Sequence, residues 1–223
     1  MTGPALALLH RDPSLVVVDK PGGLLSVPGR GPAGADSVVA RLRHLLPQCI
    51  AQPAVHRLDM DTSGLMVLAL TQAAHRHLSA QFAAHQVVKH YAALVEGVVA
   101  ASGGEIVLPF RLDPDNRPHQ VYDPVHGKIG ISKWRKVASD GQRTLVAFQP
   151  LTGRTHQLRL HASHSQGLGC PIVGDRLYGT ASPDEGLLLH AAHLAFRHPD
   201  NNQWLHFRSP PPFAPTFLAG LDF

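Results

Sequence analysis

The sequence predicts an α+β domain built on a mixed, largely antiparallel central sheet with flanking helices and loops. Three observations carry that prediction. Short apolar runs bounded by Gly and Pro, such as Leu15–Val18 and Leu65–Leu70, read as buried strands. Two segments start on a hydroxyl side chain and then repeat apolar residues at helical spacing. Strands and helices interleave without regular βαβ spacing, and "SDGQ" (139–142) between two apolar stretches signals a hairpin.

The elements follow in order. "LVVVDKPGG" (15–23) is a strand that ends on a Pro-Gly-Gly turn. Asp36 or Ser37 can cap a helix running to about Leu46, with Val38, Val39, Leu42, Leu45 and Leu46 on one side and Pro47 as the stop. Leu65–Leu70 is the next strand. Thr71 then caps a helix with Ala74, Leu78 and Phe82 four residues apart. "HYAALVEG" (90–97) is a strand, and the Pro- and Asp-rich stretch 108–127 reads as a long loop. Lys133–Ala138 and Arg143–Phe148 form the hairpin. "TGRTHQLRLHASHSQG" (152–167) alternates like a strand, but its Thr start, Gly end and length favour a helix, with Thr155, Arg159 and Ser163 on one face. Leu187–Phe207 reads as two short strands around a His198–Asn201 turn.

At 223 residues the chain is long enough for one domain, 1–223, with a sizeable core. No apolar run approaches the 18 or so residues of a membrane span. The first fifteen residues lack a basic segment followed by a long apolar one, so no signal peptide is read and a cytoplasmic protein is expected. Cys49 and Cys170 are far apart and form no Cys-x-x-Cys pair, which argues against a disulfide framework or structural zinc. The net charge is +4, and the cations are fifteen Arg against five Lys. Arg grips phosphate with a planar fork, so the balance suits a nucleic-acid partner. A GC-rich genome would produce the same bias.

Sixteen histidines, with His161/His164 and His190/His193 three apart, invite a metal reading. No His-Glu-x-x-His and no Cys cluster completes a ligand set, and no metal site is expected. "KPGGLLSVPGRG" (20–31) lacks the Gly-Lys-Ser/Thr ending of a phosphate loop, although Lys20 could still face an anionic substrate. No Gly-x-Ser-x-Gly turn marks a serine hydrolase. There remains "HRLDMDTSG" (56–64), with Arg57, Asp59, Asp61, Thr62 and Ser63 at the entry to a buried strand. A carboxylate at such a place needs a cation, or burial neutralises it. Arg154 and Arg159 are candidates. The residues alone leave two readings open: a catalytic Asp59, or a turn with an ion pair.

Six motifs taken together resemble one family. They are "VVVDKPGGLLSVPG" (16–29), "HRLDMDTSGL" (56–65), "KHYAALVEG" (89–97), "GRTHQLRLHAS" (153–163), "PIVGDRLYG" (171–179) and "LLLHAAHLAFRHP" (187–199). In content and order they resemble the RluA-type RNA pseudouridine synthases. The excursion "DPDNRPHQ" (113–120) resembles the short, dual-specificity branch, which acts on 23S ribosomal RNA and on the anticodon arm of tRNA. The first motif lies close to Met1, so the N-terminal S4 domain of longer relatives is not expected. One departure is Cys170, where relatives usually place a His before the Pro.

The resemblance implies an isomerisation. The uridine C1′–N1 bond breaks, the base rotates, and C5 joins C1′. No atom is lost and nothing is oxidised, so no cofactor is implied. The catalyst would be Asp59, with Arg159 as the ion pair that keeps it charged and Tyr91 stacking on the uracil near the C5 proton. Arg57 would fill the gap left by a flipped-out base. Arg154 and Lys20 would contact RNA. Two rival classes are a non-catalytic RNA-binding protein on the same scaffold and a metal-dependent hydrolase built from the histidines.

Overall fold

Alternation and capping account for most elements of the computed structural model, which describes residues 6–180 and 186–217. The reading of no leader in the first residues rests in part on 1–5, outside the described residues. In chain order the elements are β1 (Ala7–Arg11), β2 (Leu15–Lys20), α1 (Val38–Leu45), β3 (Ser63–Ala69), α2 (Gln72–Ala83), β4 (Val88–Glu96), β5 (Gly103–Leu112), β6 (Gln120–Tyr122), β7 (Lys128–Ser139), β8 (Arg143–Pro150), α3 (Gln157–Ser163), β9 (Leu189–Arg197) and β10 (Trp204–Arg208). The architecture is α+β with largely antiparallel pairing.

The chain gathers into two compact units. The first comprises residues 1–89 and 191–211, the second 90–190 and 212–223. In the first, strands run in the order β1-β2-β3-β9, and β10 pairs with β9. Leu15, Val17, Leu65, Val67, Leu194 and Phe196 point to one face, and α2 covers it with Ala74 and Leu78. Both helix caps form as the sequence indicates. Ser37 Oγ accepts the Ala40 N–H at 3.1 Å, and Thr71 Oγ1 accepts the Ala74 N–H at 3.1 Å. Within α1, Val38, Val39 and Leu42 are buried as expected. Leu45 is not; it lies 49% exposed at the last turn, beyond the width of the buried stripe.

In the second unit the strand order is β4-β8-β7-β5-β6. Ile106, Leu108 and Phe110 from β5, Val146 and Phe148 from β8, and Leu158, Leu160 and Ala162 from α3 share one core. The hairpin at 139–142 closes with Asp140 N–H donating to Arg143 O at 3.2 Å, and Gly141 supplies the positive φ of 90° that the turn needs.

Two expectations fail here. The stretch 108–127 is not all loop: β5 continues to Leu112, and β6 returns at Gln120–Tyr122. Alternate burial of Ile106, Leu108 and Phe110 against exposed Glu105, Val107 and Arg111 outweighs the Pro and Asp content. The helix expected over 152–167 shrinks to seven residues. Residues 152–156 are instead turned around the Gln157 side chain, whose Oε1 accepts from Thr152 Oγ1 (2.7 Å) and Arg154 N (3.0 Å). Thr155 therefore shares no helical face with Arg159. Gln157 to Ala162 are all buried, so α3 has no polar face to reveal it by periodicity.

Candidate active site

The loop 56–64 leads into β3 and is pinned from several sides. Its Leu58 exchanges two hydrogen bonds with Ser26: Ser26 Oγ donates to Leu58 O at 2.6 Å, and Leu58 N donates back to Ser26 Oγ at 3.0 Å. Thr62 N donates to Asp59 O at 3.2 Å, which tightens the turn around Asp61. At the loop's exit Gly64 has φ 108°, and a Cβ there would sit 2.4 Å from Ala191 O. Only glycine lets the loop and β9 approach this closely. At its entrance His56 stacks on Phe82 with ring centroids 4.5 Å apart, and its Nε2 accepts the Val67 N–H at 3.1 Å. Burial, and next Lys89, push the His56 pKa down to about 3, so the ring is a neutral acceptor.

Beneath this loop lies Lys20, whose side chain is fully buried. Its ammonium donates to Pro21 O (2.9 Å), Leu24 O (2.8 Å) and Met60 O (2.8 Å). Those bonds use the three N–H donors of an ammonium. The expectation that Lys20 contacts RNA is therefore corrected: it is a cation inside the fold, tying the Pro-Gly-Gly turn to the residue after Asp59. Burial pushes its pKa down to about 8, against the charges of Asp61 and then Asp59, which favour the proton. The net effect is a positive charge under two carboxylates. Asp59 is half-buried and Arg57 is exposed, so the backbone is fixed while both side chains remain accessible.

The other expected residues belong to the second unit. Tyr91 lies on β4 opposite Phe148 and packs, half-buried, against that unit's core. Arg154 precedes α3 and is exposed, with Nε donating to Ile129 O at 3.3 Å. Arg159, on α3, is 4% exposed. Its Nε and Nη2 grip Asp175 Oδ2 and Oδ1 at 2.8 and 2.6 Å, a bidentate pair. Burial alone would raise the Asp175 pKa. The Arg159 contacts and the N–H groups of Leu177 and Tyr178 outweigh that and lower it.

Sequence reasoning did not single out Asp175 and Tyr178, which contact Arg159, or His156, which contacts Tyr178. Asp175 and Tyr178 sit in the motif "PIVGDRLYG", which was the available signal, and the structure buries that Asp. Cys170, the departure from the family pattern, is half-buried against the second unit's core. Among the described residues, no group of three or more His, Cys, Asp or Glu side chains is placed to hold a metal ion. Nor, among them, is any helix long and apolar enough to cross a membrane.

A pinned, accessible carboxylate with an exposed Arg two residues before it, on an α+β scaffold, defines a class that comparison makes explicit. Residues 14–164 match the RNA pseudouridylate synthase family, and the chain belongs to it. Members are isomerases that act on RNA. Within the family the similarity is to one type. The chain is 43% identical to the dual-specificity RNA pseudouridine synthase RluA of Pasteurella multocida, over 95% of this chain and 96% of that protein. It is 42% identical to RluA of Escherichia coli K12, over 94% and 95%. Among solved structures, human RNA pseudouridylate synthase domain containing 1 superposes with a TM-score of 0.77 at 27% identity, covering 97% of this chain and 88% of that one.

Proposed function

We propose that this enzyme converts uridines to pseudouridine in 23S ribosomal RNA and in the anticodon arm of tRNA, in the cytoplasm, with residues 1–223 working as one catalytic domain. The observation that carries the site assignment is the cage under Asp59. A carboxylate whose neighbouring carbonyl is held by a buried ammonium is fixed in position without being covered. The substrate range rests on the identity to dual-specificity relatives along nearly the whole chain.

In this reading Asp59 is the catalytic carboxylate. Arg159 is the basic residue that acts with it, as the motif resemblance implies. Tyr91 stacks on the uracil. Arg57, exposed at the loop tip, enters the space that the flipped nucleotide vacates. Arg154 holds a phosphate, a contact that weakens with salt. The C1′–N1 bond breaks, the C5–C1′ bond forms, the C5 proton leaves to solvent, and N1 takes up a proton in exchange.

Tritium release from RNA labelled at uridine C5 tests the assignment. Wild-type protein releases tritium from ribosomal RNA and tRNA substrates with EDTA present, and Asp59→Asn binds the same RNA and releases essentially none. Normal turnover by Asp59→Asn would remove Asp59 from the mechanism. Loss of wild-type release on chelation would favour the hydrolase-like metal reading instead.

A further inference from the structure

Tyr178, in the second unit, makes several contacts that the reaction as read above does not use. Its ring lies beneath the Arg159 guanidinium, with Cζ 5.2 Å from the ring centroid. Its hydroxyl oxygen accepts the Gln120 N–H at 2.7 Å and lies 2.8 Å from His156 Nδ1. Its own N–H donates to Asp175 Oδ1 at 3.1 Å, the oxygen that also receives Arg159 Nη2. One residue thus touches the guanidinium's face through its ring, the guanidinium's carboxylate through its backbone, and a distant loop through its phenol.

The distant loop is the excursion 113–120. It closes on itself through Asp113 N–H to His119 O and His119 N–H to Asn116 O, both 2.9 Å. It is fastened at Gln120 by the Tyr178 hydroxyl, and at His119, whose Nε2 lies 3.2 Å from Leu177 O and whose ring meets Tyr178 edge-on at 5.7 Å. On the other side His156 holds a left-handed backbone, φ 56°, although it is not glycine. Such a conformation persists only where surroundings enforce it, and the Nδ1 contact to Tyr178 lies there. The ring, the loop and the turn before α3 all constrain how Arg159 is presented.

We propose that Tyr178 is a positioning residue for the isomerisation. It sets the orientation of Arg159 by stacking, and the 113–120 loop locks Tyr178 in that place through the Gln120 bond. The proposal rests on the reading in which Arg159 takes part in the isomerisation. It adds a residue that touches no substrate and that acts through the guanidinium, and it gives the excursion a mechanical task.

Two variants separate the ring from the hydroxyl. Tyr178→Phe keeps the stack and loses the phenol contacts. Its Gln120 amide exchanges with solvent at least about tenfold faster, and its single-turnover tritium release slows about threefold with RNA binding unchanged. Tyr178→Leu loses the stack as well. Its single-turnover release slows by at least about tenfold, again with RNA binding unchanged. A mere packing defect would lower the amount of active protein without changing the rate constant of the active fraction. A folded Tyr178→Leu with the wild-type rate constant, or a Tyr178→Phe with unchanged Gln120 exchange, overturns the proposal. Absence of tritium release by wild type would instead sink the functional reading, and the exchange measurement would still decide the lock.

Discussion

Lys20→Met removes a cation from inside the fold while keeping an unbranched side chain of similar reach. Three carbonyls, Pro21 O, Leu24 O and Met60 O, lose their shared donor. An acceptor left unsatisfied in a buried place costs about 1–3 kcal/mol. The site is fully enclosed, with Lys20 at 0% exposure, so water cannot replace the ammonium without local opening. Relief of the ammonium's own desolvation offsets part of the loss, and the expected net destabilisation is about 3 kcal/mol. That exceeds a typical point substitution and lies within the range seen when one partner of a buried charged set is removed. The function should suffer more than the stability alone explains. Met60 adjoins Asp59, and releasing its carbonyl loosens the turn that the Thr62–Asp59 bond closes. Urea unfolding gives the stability, and single-turnover tritium release at a temperature where the variant is fully folded gives the chemistry. A lower midpoint together with at least a tenfold slower chemical step is expected. A variant as stable and as fast as wild type would refute the idea that the buried ammonium holds the catalytic loop.

Two further outcomes follow from the same structure. Gly64→Ala places a Cβ 2.4 Å from Ala191 O at a φ of 108°, so strain and overpacking should together cost about 3 kcal/mol, read as a shifted denaturation midpoint; a midpoint within error of wild type would show that the backbone there yields. His161 is fully buried, neither ring nitrogen has a hydrogen-bond partner, and burial lowers its pKa to about 4. Between pH 6.5 and 4 the unfolded chain binds a proton here that the folded chain refuses, so this residue's contribution falls as pH falls, by about 3 kcal/mol over the window. His161→Leu should flatten that part of the stability–pH curve, whatever its effect at neutral pH, and an unchanged slope would refute the assignment.

The six motifs, the two helix caps, the hairpin turn and the strand runs were legible in the sequence because each depends on residues close together in the chain. A Ser that accepts a bond three residues on, or a Gly that turns a hairpin, needs no distant partner to declare itself. The roles of Asp59, Tyr91 and Arg159 as candidates came from the resemblance of short motifs to a known family. What each of them leans on did not. Lys20 looked like a cation for solvent or RNA until Met60, forty residues later, supplied a carbonyl for it. Leu58 takes both bonds from Ser26, thirty-two residues earlier. Arg159 meets Asp175 sixteen residues on, beyond the end of its own helix. A side chain's charge is a property of the sequence, but its exposure is decided by which remote segments enclose it. Enclosure turns Lys20 from a surface ligand into a buried support, and remote packing sets the half-buried Tyr178 ring against the Arg159 guanidinium.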